Sequence, residues 1–427
     1  MRSAGAGRTP GSSTTTDNFR KTTLPNGVRV VSESIPTVRS ISVGAWVFTG
    51  SRDERRSKEG LSHFIEHMVF KGTRSRRMHQ IASRMEAVGG YLNAFTGKEY
   101  TCFYARALDN HLSRAVETVT DLILAPTFPE KELQKEKEVV LEEIKMYEDT
   151  PEENIFDHFE DAIYSGHSLA HPVLGTRSSV MGFTRDDLLD YLERKYLPSR
   201  MVIAAAGNLD HDRLVQYVAA AFDKSDRENR RFQRRKVNGY RSRHVESTSP
   251  VQQAHLLVGT RGCSTYADDR LALIVLNILL GGGMSSRLNQ NIREKYGYCY
   301  SIYSFLNFHS DSGDFGIYTA TEPGKIDRTH DLIIREVDKM RSKKVGPRAL
   351  SQARSQVKGS IMLGLESMSS RMMRIGKQEL YHATYVTMDR LVEMVDDVSA
   401  DDVLAAAIAY LSPEDFSSVT IRPESRN

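Results

Sequence analysis

The amino-acid sequence predicts an α+β protein built from two domains of the same fold. At 427 residues the chain is longer than one ordinary hydrophobic core supports. Segments that alternate between apolar and polar residues, as strands do, are interleaved with segments of helical spacing. The order of these segments in the first half recurs in the second, which indicates an internal repeat of roughly 200 residues. These observations together favour two similar α+β domains.

The first half predicts strands followed by helices. Asn26-Gly27 is a hairpin signal, and Gly89-Gly90 ends a helix. The predicted strands are TLPNGVRVVSES, RSISVGAWVFTGS and YLNAFTGKEYTCFYARAL, and the predicted helices are GLSHFIEHMVF, HQIASRMEAV, HLSRAVETVTDLIL and PEKELQKEKEVVLEEIKMYED.

The polar, basic stretch KSDRENRRFQRRKVNGYRSR predicts a linker over 225–248. It separates a domain over 20–224 from one over 249–427, and residues 1–19 are expected to be a disordered tail. In the second half QQAHLLVGTRG resembles the SVGAWVFTG strand, and PRALSQARSQVKGSIMLGLES mirrors the second long helix. Where the first half has Glu136 and Glu143, this register places Ala353 and Ser360. The second half therefore lacks counterparts of these acids and of the histidines. A purely structural role for them in the first half would not explain this difference.

Composition excludes several classes of function. A net charge of +3 gives no reason to expect a nucleic-acid partner, and no apolar run is long enough to cross a membrane. Cys102, Cys263 and Cys299 are widely spaced, which favours a reducing compartment. The first nineteen residues lack the apolar core of a secretory signal. We expect a bacterial cytoplasm, with the mitochondrial matrix as the alternative.

The segment HFIEH carries the most specific chemistry. His63 and His67 are four residues apart on a predicted helix, so both imidazoles can bind one metal ion. Glu66 flanks the pair and is placed to take a proton from water. A catalytic zinc needs a third protein ligand, for which a carboxylate is typical. A pair of surface histidines is the alternative for this segment alone.

H-x-x-E-H is the inverzincin motif, and it is accompanied here by GGYLNAFTGKEYT, EKEVVLEEIKMYEDTPEE, YLPSRMVIAAAGNLD and GGGMSSRLNQNIREKYGYCYS. With these motifs in order from about Thr23 to Leu411, the chain resembles the M16 metallopeptidases. It is most similar to the two-domain subunits, such as mitochondrial processing peptidase β subunits and bacterial homodimeric processing-type proteases. The resemblance implies two homologous α/β-sandwich-like domains, the first catalytic and the second inactive.

The resemblance also implies roles for residues of the first half. Glu143 takes the position of the third ligand to one zinc ion per subunit, and Glu136 takes that of a carboxylate orienting a ligating histidine. Glu66 is the implied general base. A generic acidic helix is the alternative for Glu136 and Glu143. Asn93 and Ala94 match an edge strand that pairs with the substrate backbone, although a plain hairpin strand would have the same pattern.

Two further implications of the resemblance concern the substrate. Arg293 and Tyr300 fit the pattern R-E-x-x-G-x-x-Y and would stabilise an oxyanion from a partner subunit, although Tyr300 could instead be a buried core residue. The motif departs from the family at Tyr298 and Cys299, where leucine and alanine are usual.

Glu153 and Asp157 match acids that receive an arginine near the cleaved bond, with a solvated acidic face as the alternative. We expect a homodimeric zinc endopeptidase that cuts unfolded, basic, presequence-like peptides in a chamber between two subunits. A non-catalytic assembly subunit, or the active half of a heterodimer, is the other possibility.

Overall fold

A computed structural model describes residues 14–16, 18–223, 227–230 and 232–424. The elements of the first half are β1 (Thr14–Thr16), β2 (Phe19–Thr23), β3 (Arg29–Ser34), β4 (Ser40–Val47), α1 (Leu61–Val69), α2 (Met78–Glu86), β5 (Tyr91–Thr96), β6 (Thr101–Leu108), α3 (Leu112–Leu124), α4 (Glu130–Glu148), α5 (Pro151–Ile163), α6 (Arg177–Met181), α7 (Arg185–Lys195), β7 (Met201–Gly207) and α8 (His211–Phe222). Those of the second half are β8 (His244–Ser249), β9 (Ala254–Gly262), α9 (Arg270–Gly281), β10 (Cys299–Phe308), β11 (Gly313–Thr321), α10 (Ile326–Ser342), α11 (Pro347–Gly364), α12 (Met368–His382), α13 (Met388–Asp397), α14 (Ala400–Tyr410) and β12 (Ser417–Pro423).

The two halves have the same sheet topology, which confirms the predicted α+β repeat. The first sheet has the order β1-β2-β3-β7-β4-β6-β5, and the second has β10-β11-β9-β12-β8. When equivalent strands are matched, β3-β7-β4-β6-β5 corresponds to β8-β12-β9-β11-β10. In each sheet one pair is parallel, β3 with β7 and β8 with β12, and the other pairs of this five-strand core are antiparallel. Strands β5 and β10 are therefore equivalent edge strands.

Alternation along the strands buries both faces of each sheet. In β4, Val43, Ala45 and Val47 belong to the core that the helices of the first half cover, while Trp46 points to the opposite face. This period of two is the ordinary geometry of a strand. Both sheets therefore need a second covering layer.

That second layer is exchanged between the halves. Helix α5 of the first half packs Ile155 and Phe159 against the second sheet, and α12 of the second half packs Met372 and Ile375 against the first sheet. Because α5 follows α4 as α12 follows α11, the exchanged helices are themselves equivalent in the repeat. The single tryptophan, Trp46, contacts α12 directly through an Nε1–H bond to Met372 Sδ of 3.4 Å.

The predicted domain boundaries at 20–224, 225–248 and 249–427 remain predictions. Within the predicted linker, Arg234 is buried against Asp53 and Glu99 of the first half, and His244–Ser249 forms β8. Much of the predicted tail, 1–13 and 17, lies outside the described residues, whereas Thr14–Thr16 pairs with β2. Among the helices that the structure describes, none has the length and apolar composition to span a bilayer.

Candidate metal centre

Helix α1 carries both histidines and the glutamate of the HFIEH segment. Its apolar side chains Phe64, Ile65 and Met68 are fully buried in the first core, which fixes the rotation of the helix. The two imidazoles lie on one face, with ring centroids 4.5 Å apart. His63 is 8% exposed, so the pair lies at the border between the core and the open side of the domain.

Glu143 on α4 completes a three-residue cluster. Its Oε2 atom lies 3.8 Å from Nε2 of His63 and 3.8 Å from Nε2 of His67. One potential ligand atom from each of the three residues lies within 4.8 Å of the other two. Val140 and Ile144, which flank Glu143 on α4, are buried in the core that α1 shares, and this packing holds the two helices together.

The cluster fits a zinc ion. Glu143 Oε2 is buried and has no hydrogen-bond partner among the described residues, although it faces two imidazole nitrogens. Burial, and then the charge of His67, lower the pKa of His63 to about 3. His63 is therefore neutral near pH 7, with a lone pair free for a metal. Two imidazole nitrogens and one carboxylate are a common protein ligand set of catalytic zinc.

Glu136 lies behind His67, two helical turns before Glu143 on the same face of α4. Its Oε1 accepts a hydrogen bond from His67 Nδ1 at 2.9 Å, and its Oε2 pairs with Lys71 Nζ at 2.6 Å. Burial favours a higher pKa for Glu136, but the hydrogen bonds to His67 and Lys71 outweigh it and lower the pKa. The carboxylate fixes the His67 proton on Nδ1, which leaves Nε2 to face Glu143.

Glu66 lies beside the cluster without joining it. Its Oε2 accepts a hydrogen bond from Thr96 Oγ1 at 2.5 Å, which ties α1 to the end of β5. Burial raises the pKa of Glu66, against the lowering effect of Thr96 and His67. A carboxyl whose pKa lies above its usual range is better matched to proton transfer near neutral pH.

Strand β5 presents a free edge next to Glu66. Asn93 Oδ1 accepts the backbone N–H of Ala94 at 2.9 Å, and Asn93 Nδ2 donates to Tyr91 Oη at 2.6 Å. The Asn93 side chain therefore occupies the Ala94 amide, a backbone donor of the strand that the sequence predicted to pair with substrate.

Arg293 and Tyr300 lie in the second half at two local irregularities. Arg293 belongs to a π-helical turn, Asn289–Glu294, and Tyr300 lies at a break in register of β10 between Cys299 and Ser301. Tyr300 is 81% exposed, so it is not a buried core residue. The Arg293 guanidinium lies 5.9 Å from the Tyr300 ring, and its ionic partner is Glu294 at 3.2 Å. Within the described part of this chain, neither side chain bonds to His63, His67 or Glu143.

Both predicted acids, Glu153 and Asp157, lie on helix α5. Asp157 is half-buried and lines a cavity of about 1290 Å³ together with Tyr147, Glu148 and Asp161. Burial raises the pKa of Asp157, partly offset by the charge of Lys98. Glu153 is exposed and does not line this cavity. The two side chains thus occupy different environments.

Sequence reasoning missed Lys71, Thr96 and Glu54, which the structure places around the cluster. Lys71 is four residues after His67, a helical spacing that could have revealed it. Thr96 stands inside the YLNAFT segment, but only tertiary packing brings it to Glu66. Glu54 binds the start of α1 and gives no local signal.

Comparisons with known proteins agree with this geometry. Residues 29–177 match the family described as Insulinase (Peptidase family M16), and residues 182–357 match the Peptidase M16 inactive domain. A Bacillus subtilis protein named uncharacterized zinc protease YmxG is 39% identical over 95% of this chain and 98% of its own. A Mycobacterium leprae protein named uncharacterized zinc protease ML0855 is 40% identical over 92% of this chain and 89% of its own.

Solved structures share the fold. A protease from Helicobacter pylori has a TM-score of 0.89 at 20% identity, over 95% of this chain and 99% of its own. A Pseudomonas fluorescens structure described as a peptidase M16 inactive domain has a TM-score of 0.88 at 19% identity, over 96% of this chain and 99% of its own. With both halves matched and relatives near 40% identity over almost the whole length, the chain belongs to peptidase family M16.

Proposed function

We propose that this protein is a zinc-dependent endopeptidase that cleaves unfolded peptides. The observation that carries the proposal is the convergence of His63, His67 and Glu143 around a buried carboxylate oxygen that has no other partner within the described part of the chain. Such a donor set without a cation would leave Glu143 Oε2 desolvated and uncompensated, which is unfavourable. The names of the bacterial relatives support zinc as the metal, with one ion per subunit.

The side chains around the cluster suit peptide hydrolysis. When bound, zinc supplies Lewis acidity, the chemistry by which metallopeptidases polarise a carbonyl and activate water. Thr96 holds one oxygen of Glu66, and the other is left to take a proton from water and deliver it to the leaving amine. Glu136 keeps His67 in the tautomer that offers Nε2.

The free edge of β5 supports recognition of an extended substrate. A peptide that adds to this edge would take the Ala94 N–H from Asn93 Oδ1, and small Ala94 lets its backbone approach. Asn93, once released, is free to donate its amide to the substrate. An unfolded peptide readily adopts such an extended strand, so unfolded peptides are the expected substrates.

Asp157 supports a preference for arginine. Its carboxyl lines the cavity next to α4, where a guanidinium could form a bidentate pair. Glu153 makes a lesser contribution in this proposal because it faces solvent outside that cavity. Basic, presequence-like peptides remain the preferred substrate class.

The exposure of Tyr300 beside Arg293 supports a homodimer in which these groups serve the partner's site. Irregular turns such as the π-helical turn and the bulge that hold them are frequent at functional sites. The three cysteines are all buried and free, in keeping with a bacterial cytoplasm.

The proposal is tested by incubating the zinc-loaded protein with an unfolded peptide that contains one arginine and mapping the products by mass spectrometry. Internal cuts at a constant distance from arginine, lost with a chelator and restored by zinc, are expected. Asp157→Asn should weaken that positional preference, while Glu153→Gln should change it less. A metal-loaded protein that cuts none of several peptides would contradict the proposal and favour a non-catalytic or heterodimeric subunit.

A further inference from the structure

The carboxyl group of Glu54 holds the beginning of the metal-binding helix. Glu54 is 7% exposed. It belongs neither to the cluster of His63, His67 and Glu143 nor to the groups proposed to transfer protons. Its Oε2 accepts the backbone N–H of Gly60 at 2.7 Å, and its Oε1 accepts that of Ser62 at 2.6 Å. Amides at a helix start lack intrahelical acceptors, and Ser62 directly precedes His63. Glu54 thus fixes the backbone from which His63 projects.

His63 depends on that backbone more than His67 does. His67 is oriented from behind by Glu136, which accepts from its Nδ1. The Nδ1 atom of His63 is buried and has no hydrogen-bond partner among the described residues. Among the described residues, no hydrogen bond to Nδ1 therefore holds the His63 ring in place if the start of the helix shifts. The position of its Nε2 follows from side-chain packing and from the first turn of α1.

Glu54 is itself held in place by the two residues before it. Arg52 pairs with Glu99 at 2.6 Å and with Asp311 of the second half at 2.6 Å. Asp53 pairs with Arg234 at 2.8 Å. The segment that carries Glu54 is thus clamped to the turn after β5 and to the second half. Because these ion pairs hold the segment before Glu54, the Glu54 carboxyl group can fix the position of the first turn of α1.

The Gly60 position shows how tightly this helix start is fitted. Gly60 has a φ of +87°, and a Cβ atom there would lie 2.5 Å from the carbonyl oxygen of Leu174. A side chain is therefore excluded at this position, and the Gly60 N–H is directed at Glu54. The Glu54 carboxyl group thus binds the amide of a closely packed glycine in the left-handed conformation.

We infer that Glu54 is a positioning residue for the metal site, acting on His63 through the amides of Gly60 and Ser62. The inference rests on the proposed function, because it requires that His63, His67 and Glu143 bind zinc. Loss of groups that orient metal ligands typically weakens metal affinity by about 10- to 100-fold. A purely structural role would lower the stability of the fold without changing the zinc affinity of the folded protein.

The test compares zinc dissociation constants of the full-length wild type, Glu54→Gln and Glu336→Gln by competition with a chromophoric chelator. The glutamine amide nitrogen replaces one acceptor oxygen, so one helix amide loses its partner. Zinc affinity about tenfold weaker in Glu54→Gln is expected, together with an altered visible spectrum of the cobalt-substituted protein. Glu336 is an equally buried carboxylate, held by Arg287 and Lys339, and its variant should lose stability but keep wild-type affinity.

The outcomes separate the inference from the function on which it rests. If wild type binds zinc and Glu143→Gln does not, while Glu54→Gln matches wild type, Glu54 has no positioning role. If wild type itself fails to bind zinc, the proposed function falls together with this inference. If Glu54→Gln does not fold, residue-resolved hydrogen exchange of the zinc-free wild type decides. Slow hydrogen exchange of the Gly60 and Ser62 amides would support the contact with Glu54. Exchange at the rate of free amides would overturn it.

Discussion

At the scale of single residues, Glu136 shows how one carboxylate serves two neighbours. It accepts from His67 and pairs with Lys71, and this combination lowers its pKa in spite of burial. A charged Glu136 therefore persists near neutral pH and holds the His67 proton on Nδ1. Glu136 therefore contacts His67 of the candidate metal cluster without belonging to that cluster.

Replacing Glu136 by glutamine should weaken zinc binding about 10- to 100-fold. The amide cannot stabilise a proton on His67 as a carboxylate does. The dissociation constant, measured by chelator competition, checks this expectation. Glu138→Gln is the matched control, because Glu138 lies on the same helix but is exposed. Equal affinity of both variants would contradict the role given to Glu136.

Asp314 is a residue whose protonation should alter stability. Burial, and then the charge of Glu160, raise its pKa to about 7, while Asn307, Tyr164 and Lys98 act to lower it. The folded state therefore binds this proton more tightly than the unfolded state does. The resulting stability is fully present below the unfolded pKa and is lost as pH rises through about 7.

Asp314→Asn mimics the protonated group and should remove this loss. Between about pH 5 and pH 8, wild type should lose about 2–3 kcal/mol of unfolding free energy relative to the variant, because each pH unit below the folded pKa contributes about 1.4 kcal/mol. Urea unfolding at several pH values measures the difference, and any constant effect of the substitution cancels. A difference that stays level across this range would show that Asp314 is ionised throughout.

At the scale of elements, the contact between α12 and the first sheet depends on two glycines. A Cβ at Gly44 in β4 would lie 2.5 Å from Met372 Sδ, and one at Gly376 in α12 would lie 2.4 Å from Trp46 Nε1. The backbones of α12 and β4 therefore pack closely on this face, with no room for a Cβ atom at either glycine. Helical spacing alone could not reveal that α12 covers the other half.

Gly376→Ala should destabilise the protein by about 1–3 kcal/mol, the usual effect of overfilling a packed interior. The Trp46 ring would have to move, so its fluorescence should change as well. Gly359→Ala in α11 is the control, because a Cβ there meets nothing within 4 Å. That control should gain about 0.5–1 kcal/mol from helix propensity. Equal effects in urea unfolding would refute the close packing.

Predictability from sequence differs between these elements. Strands β3, β4, β5 and β6, helices α1 to α4, and the counterparts β9 and α11 in the second half follow from periodicity and order. Glu143 was found through resemblance to known motifs, because nothing local relates it to a histidine pair so far away in the chain. The contacts of Glu54 and Thr96, and the exchange of α5 and α12, could not be predicted, since they depend on tertiary packing.

At the scale of the whole molecule, the exchanged helices bind the halves into one unit, and Tyr300 lies exposed at its surface beside Arg293. In the proposed dimer each site combines Glu66 from one subunit with Arg293 from the other. A single chain would then never contain a complete site. In this proposal, the second half covers the first sheet of its own subunit and reaches the substrate bound at the partner's site.

Mixing two inactive variants tests this arrangement. Glu66→Gln and Arg293→Ala homodimers should each be nearly inactive on a peptide substrate. After subunit exchange, mixed dimers contain one site with both residues intact, so activity should reappear. Complementation that fails although mass spectrometry detects mixed dimers would contradict action across the interface. The same peptide assay, before and after mixing, provides the measurement.

The central claim, that the α1–α4 cluster is the site of metal-dependent peptide cleavage, is tested most directly by comparing wild type with Glu66→Gln at equal zinc content. Peptide cleavage should fall by about 10²–10⁴-fold, the usual contribution of a general acid–base group. Zinc affinity should be preserved, because Glu66 lies beside the cluster. Glu142→Gln, an exposed change on α4, should cleave as wild type does. A Glu66→Gln variant that cleaves at the wild-type rate would contradict the account.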